Sequence, residues 1–234
     1  MRKEAVISIV GSEPTPGKEA QYNGWYDKHI SDLFGCQDLK KTSRYHRYDL
    51  VAGDNREESA EYLAIYEFDD KDALAAFRQC PEFAVGSKDF EKNWPGLGNI
   101  IWGGAYEPYK FLERKKGGDS TLFIVATDCR PEKAAEYNRW YSDIHLPMLF
   151  EFKGITRASR YTCYEPRGDN KGKCAKYLAI YEFDNKEDLD AFLNSPEIAA
   201  ARPDWDEKYP GSVFGIKLAW SALYEPLKSL EKYP

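Results

Sequence analysis

Nothing in this 234-residue sequence approaches the roughly 18 consecutive apolar residues that a membrane-spanning helix requires, so no membrane partner is expected. The apolar stretch Ala5 to Val10 is too short for the core of a secretory signal and reads as a strand. Five cysteines occur, Cys36, Cys80, Cys129, Cys163 and Cys174, an odd number without CxxC spacing. That pattern argues against a disulfide framework or a zinc site and points to a cytoplasmic chain with mostly inert thiols; no metal is expected. Glycine-rich phosphate loops of the GxGxxG or GxxxxGKS/T type are missing, which argues against nucleotide or flavin dinucleotide binding in a familiar mode. Basic residues number 33 against 39 acidic ones, for a net charge of −6, and are scattered except for Arg114-Lys115-Lys116, read as a solvated linker. Nucleic acid is therefore not an expected partner.

What the chain does have is itself, twice. Tyr62-Leu63-Ala64-Ile65-Tyr66-Glu67-Phe68-Asp69 returns unchanged as Tyr177 to Asp184, 115 residues later, and Tyr106-Glu107-Pro108 returns as Tyr224-Glu225-Pro226. Trp25-Tyr26 matches Trp140-Tyr141, and Ser43-Arg44-Tyr45 matches Ser159-Arg160-Tyr161. A duplication of this kind sets the architecture before any motif is read. It predicts two units, 1–113 and 118–234, each long enough for a modest core. Aromatics make up 15% of the chain, with 17 tyrosines and 6 tryptophans, which suits an aromatic interior or pocket.

Hydrophobic periodicity and turn residues predict the order βαββαβ in each copy. In the first, strand Ala5–Val10 leads to a helix over Lys18–Phe34, then strands Lys41–Leu50 and Glu61–Phe68, a helix ended or kinked by Pro81, and a strand over Ile100–Tyr106. This is the ferredoxin-like order, an α+β arrangement with both helices on one face of an antiparallel sheet. The repeated strand has apolar residues facing both ways, so both faces need cover. Two such sheets facing one another in a pseudo-twofold, eight-stranded α/β barrel, with helices outside, meet that need.

Of the three histidines, His29 and His145 fall in the matched first helix, each 15 residues before the arginine of Ser-Arg-Tyr, whereas His46 has no partner. The approach differs: Trp25-Tyr26-Asp27-Lys28-His29 has one residue fewer than Trp140-Tyr141-Ser142-Asp143-Ile144-His145, and Pro147 should kink or end the second helix just after its histidine. Two non-identical sites are expected. An imidazole beside tyrosines and an arginine can exchange a proton near neutrality, though a helix histidine among aromatics also serves as a packing residue. Arg160 can stabilise an enolate or form a salt bridge to Glu182 or Glu225.

The run Trp140 to Pro147, followed by Gly154 and Arg160-Tyr161, resembles the first helix and second strand of EthD-like members of the dimeric α/β-barrel superfamily. That superfamily includes cofactor-free monooxygenases, cyclases, isomerases and a haem-dependent branch. The first copy departs from the pattern at Ser31 and Lys40, which makes the second copy the expected active half. The resemblance and the residues together lead to a cofactor-independent enzyme acting on a small apolar or aromatic carbonyl compound by histidine acid-base chemistry of lyase, isomerase or cyclase type. His145, His29, Arg160 and Tyr141 are the expected catalytic residues, and Trp140, Tyr181, Trp25, Tyr26, Arg44 and Tyr66 the expected ligand-binding ones. The alternatives are an oxygenase or haem protein of the same fold, or a non-catalytic ligand-binding or assembly module; a homodimer of the fused barrel is an allowed assembly.

Overall fold

The computed structural model describes residues 4–115, 119–208 and 213–232; the expected start of the second unit at 118, Lys116 of the basic run and both chain ends lie outside the described residues. The elements are β1 (Val6–Pro14), α1 (Glu19–Leu33), β2 (Lys41–Ala52), β3 (Tyr62–Phe68), α2 (Lys71–Phe77), α3 (Pro81–Asn93), β4 (Gly98–Glu113), β5 (Thr121–Asp128), α4 (Ala134–Trp140), a π-turn (Tyr141–His145), α5 (Leu146–Phe150), β6 (Ile155–Arg167), β7 (Tyr177–Phe183), α6 (Lys186–Leu193), α7 (Pro196–Lys208) and β8 (Lys217–Glu231). The eight strands close into one antiparallel barrel in the order β1-β3-β2-β8-β5-β7-β6-β4. Each half keeps the ferredoxin-like neighbour order 4-1-3-2, and the halves join edge to edge through β2–β8 and β4–β6.

The joints depend on the repeated Tyr-Glu-Pro. Proline there suggests a strand end, yet β4 and β8 run through it to Glu113 and Glu231. Pro108 and Pro226 sit at bulges, where a strand tolerates the lost amide donor, and Tyr109 and Leu227 are the unpaired extra residues. On one edge β4 and β8 pair within their own half only as far as Tyr106 and Tyr224; on the other edge they pair with the opposite half from Gly103 and Ser221 through the bulge to Glu113 and Glu231. Both sheet edges are thereby consumed.

The alternation of the repeated strand sorts the core into three. Leu63, Ile65, Leu178 and Ile180 point into the barrel, which side chains including Trp102 and Trp220 fill. Tyr62, Ala64, Tyr66 and Phe68 face the helices of the first half, and Tyr177, Ala179, Tyr181 and Phe183 those of the second. Each short outer helix starts on a side-chain cap, Asp70 accepting from the Ala73 amide at 3.0 Å and Asn185 from that of Asp188 at 2.8 Å, contacts worth about 1 kcal/mol each.

One expectation is corrected and one refined. Pro81 does not simply stop a helix; it opens α3, as Pro196 opens α7, because the first turn has no use for the missing amide donor. Arg114, though exposed in the linker as expected, is anchored rather than loose, since its guanidinium donates to the Phe152 and Ile155 carbonyls at 3.0 and 2.8 Å and lies over the Phe150 ring. No helix among the described residues is long and apolar enough to cross a membrane.

Candidate active sites between helices and barrel

Each half has a cavity between the outer face of the sheet and its helices, and a histidine reaches each one. In the first half the cavity holds about 550 Å³ and is lined by Trp25, Tyr26, His29, Tyr66, Phe77 and Phe90 among others. In the second it holds about 260 Å³, with Phe123, Tyr141, His145, Leu149, Tyr181 and Trp205 in the wall. All ten of the expected side chains lie in these two helix-to-sheet layers, but Arg44, Arg160 and Trp140 line neither cavity. The larger space is in the half that the sequence had made the less favoured one.

The histidine is held alike in both halves. His29 stacks on Trp25 at 4.6 Å and 19°, and His145 lies tilted against Trp140 at 5.0 Å and 33°. Tyr26 and Tyr141 meet the imidazoles edge-on. The indole N–H of Trp25 donates to Asp89 Oδ2 at 2.7 Å and that of Trp140 to Asp204 Oδ2 at 2.6 Å. Nδ1 of His145 stands 4.0 Å from the same Asp204 oxygen, a gap that protonation of the ring would draw into a hydrogen bond.

Such likeness was not expected from helices that differ by a residue. The extra residue is absorbed by the π-turn Tyr141–His145, in which the Leu146 amide reaches back five residues to the Tyr141 carbonyl. Trp140 and His145, five apart, thus make the contact that Trp25 and His29 make at four. Pro147 neither ends nor displaces the segment, which runs on as α5. The widened turn before it relieves the clash a proline ring meets in a regular helix.

Burial decides the electrostatics. It pushes both imidazoles down to about 4, against the opposing pull of Asp89 and Asp204, so both are neutral bases near pH 7. Burial likewise raises the phenols of Tyr26, Tyr66, Tyr141 and Tyr181, which remain protonated hydrogen-bond donors. Tyr141 and Tyr181 bring their hydroxyls to 3.2 Å. Behind these rings lie the arginines, each 1% exposed. Arg44 donates to Asp27 at 2.6 Å and to the Asn23 side chain at 2.7 Å, beneath the Tyr26 ring. Arg160 has Ser142 where Arg44 has Asp27, donating to its hydroxyl at 3.2 Å, and stacks 4.2 Å from Tyr141. No carboxylate pairs with Arg160 among the described residues; Glu182 is met by Arg157, and Glu225 by His46 and Lys186. The arginines therefore bear on the cavities through the tyrosines.

Asp89 and Asp204 are the site residues that the sequence reading missed. Both sit on helices it did not place, yet the signal was there: Pro81-Glu82 and Pro196-Glu197 are each followed by aspartate eight residues after the proline.

No family model and no curated protein matches the sequence. Solved structures do match in fold. A candidate monooxygenase from Fusobacterium nucleatum superposes with a TM-score of 0.66 at 15% identity, covering 99% of this chain and 96% of that one. The fold is that of the dimeric α/β barrels. An anthrone oxidase-like protein follows the same path with a TM-score of 0.64 at 14% identity, covering 98% and 93% of the two chains. Chlorite dismutase from Candidatus Nitrospira defluvii does so at 0.54 and 8%, over 97% and 93%.

Haem, expected of one branch of this fold, fits these residues poorly. An axial imidazole is normally fixed by a hydrogen bond from its other ring nitrogen, whereas Nδ1 of His29 and of His145 are both buried without a partner, the rings lying against indoles.

Proposed function

We infer that the chain is an oxygenase-type enzyme that removes a proton from a flat, apolar aromatic carbonyl compound, with His29 as base in the larger cavity. The carrying observation is the neutral imidazole, stacked on an indole whose N–H is held by Asp89, facing an aromatic-lined space of about 550 Å³, within the range of small-molecule pockets. His29 takes a proton from a carbon conjugated with the carbonyl. The phenols of Tyr26 and Tyr66 donate to the oxyanion that develops, and Asp89 stabilises the imidazolium. Such a step also begins an isomerisation or ring closure.

The names of the fold's relatives favour oxidation. An anthrone is flat, apolar and acidic at the carbon opposite its carbonyl, and its carbanion is electron-rich enough to reduce dioxygen. One CH₂ group and one O₂ become one C=O group and one water, with the substrate supplying all the electrons. Anthrone is therefore the probe, with oxygen uptake and quinone formation as readouts. His29→Gln should lower the rate by about 10²- to 10⁴-fold while His145→Gln retains most of it. Wild-type turnover in His29→Gln would overturn the assignment, and the reverse pattern would move the reaction to the second half.

A further inference from the structure

Four of the five cysteines, scattered in the sequence, meet in two pairs in space. Cys163 and Cys174 lie against the barrel wall with sulfurs 3.8 Å apart, and the Cys174 sulfur also bonds to the Tyr106 hydroxyl and the Gly103 carbonyl. The other group has a different composition. Cys36, just beyond α1, meets Cys80 and Glu82 at the start of α3, and one donor atom from each residue lies within 4.8 Å of the others.

We propose that Cys36, Cys80 and Glu82 form a zinc site that clamps α1 to α3. A tetrahedral zinc with Zn–S bonds of about 2.3 Å holds its sulfurs about 3.8 Å apart, so closing the group around an ion takes shifts of about 1 Å or less. Two thiolates and a carboxylate are a borderline-soft set that suits zinc better than magnesium or calcium. Cys36 is 1% exposed, whereas Cys80 and Glu82 are half-buried, so the ion has a way in and a fourth, open position for water. Glu82 makes no ion pair among the described residues.

The second half supplies a control. At the places equivalent to Cys36, Cys80 and Glu82 it has Phe152, Ser195 and Glu197. Only the glutamate is common; both thiols belong to one half and converge on one point. There a phenyl ring packs the junction that the metal would tie in the first half, Phe152 lying 5.5 Å from Phe192. The clamp matters because α1 presents His29 and α3 presents Asp89, so it fixes the two elements that hold the larger cavity's base and its carboxylate.

Titration of the full-length, reduced chain with Co²⁺ tests the site without reference to any activity. One equivalent should produce a thiolate charge-transfer band and the visible bands of tetrahedral Co²⁺, both lost when Zn²⁺ is added. Cys80→Ser, which installs the residue the second half already carries, should fold, weaken the metal at least about tenfold and abolish the rise in melting temperature that zinc gives the wild type. Glu82→Gln should weaken it while keeping the thiolate band. The site is refuted by a titration without a thiolate band, by an unchanged band in Cys80→Ser, or by a Cys36–Cys80 disulfide that persists in reductant.

Discussion

Acidification should destabilise this protein through His145, by an amount the structure lets one work out. The ring is 5% exposed and its proton affinity is pushed from the ordinary 6.5 down to about 4. Between those values the unfolded chain takes up a proton that the native chain refuses, so the balance moves toward unfolding as pH falls. The contribution is fully present above about 6.5, declines through the interval and levels off below about 4. At about 1.4 kcal/mol per pH unit, it amounts to roughly 3 kcal/mol, a large share of a typical domain's stability. The assay is urea denaturation of wild type and His145→Gln from neutral pH to about 4. Glutamine is uncharged throughout, and the carboxylates titrate in both proteins, so they cancel in the difference. The wild type should lose about 3 kcal/mol relative to the variant across that range. Parallel pH curves for the two proteins would refute the buried, neutral imidazole. His29, pushed down to about 4 as well, should show the same sign with a similar amplitude.

Other consequences are as direct. Ser142→Asp gives Arg160 the carboxylate that Asp27 gives Arg44, and should raise stability by about 1 kcal/mol in urea titrations; a loss would mean that the tyrosine rings already satisfy the guanidinium. Deleting Ile144 removes the extra residue of the π-turn and leaves Pro147 in a regular helix, at a cost of about 3 kcal/mol that Pro147→Ser in the same chain should largely restore. If the deletion costs the same with and without that serine, the π-turn is not what accommodates the proline. Gly104→Ala would place a methyl carbon 2.5 Å from the Cys174 sulfur and should lower the melting temperature, whereas Gly172→Ala, with open space around it, should not.

The repeat, the βαββαβ frame and the paired histidines could all be read directly from the residues, because duplication and alternation are local properties of a sequence, whereas α3 and α7 were not placed. The strand ends could not. Proline in Tyr106-Glu107-Pro108 is a stop signal within one sheet, and only a partner strand from the other half, pairing across a bulge, makes it a crossing point. The site was half legible for a similar reason. Trp25 and His29 declare themselves by helical spacing, but Asp89 joins them from a helix 60 residues further along, and Asp204 joins His145 likewise.

The sequence by itself determined a two-fold α+β scaffold with an aromatic layer and one histidine per half, since period-2 and period-3.6 patterns specify which face each residue takes. It also implied that an inserted residue must make the halves different. Tertiary structure confined that difference to the cavity and the arginine's partner, because the backbone absorbs the insertion as a π-turn and leaves the tryptophan–histidine stack and the indole–aspartate bond alike in both halves. Cavity size and the meeting of distant cysteines belong to that second category, being distances between elements that no local pattern encodes.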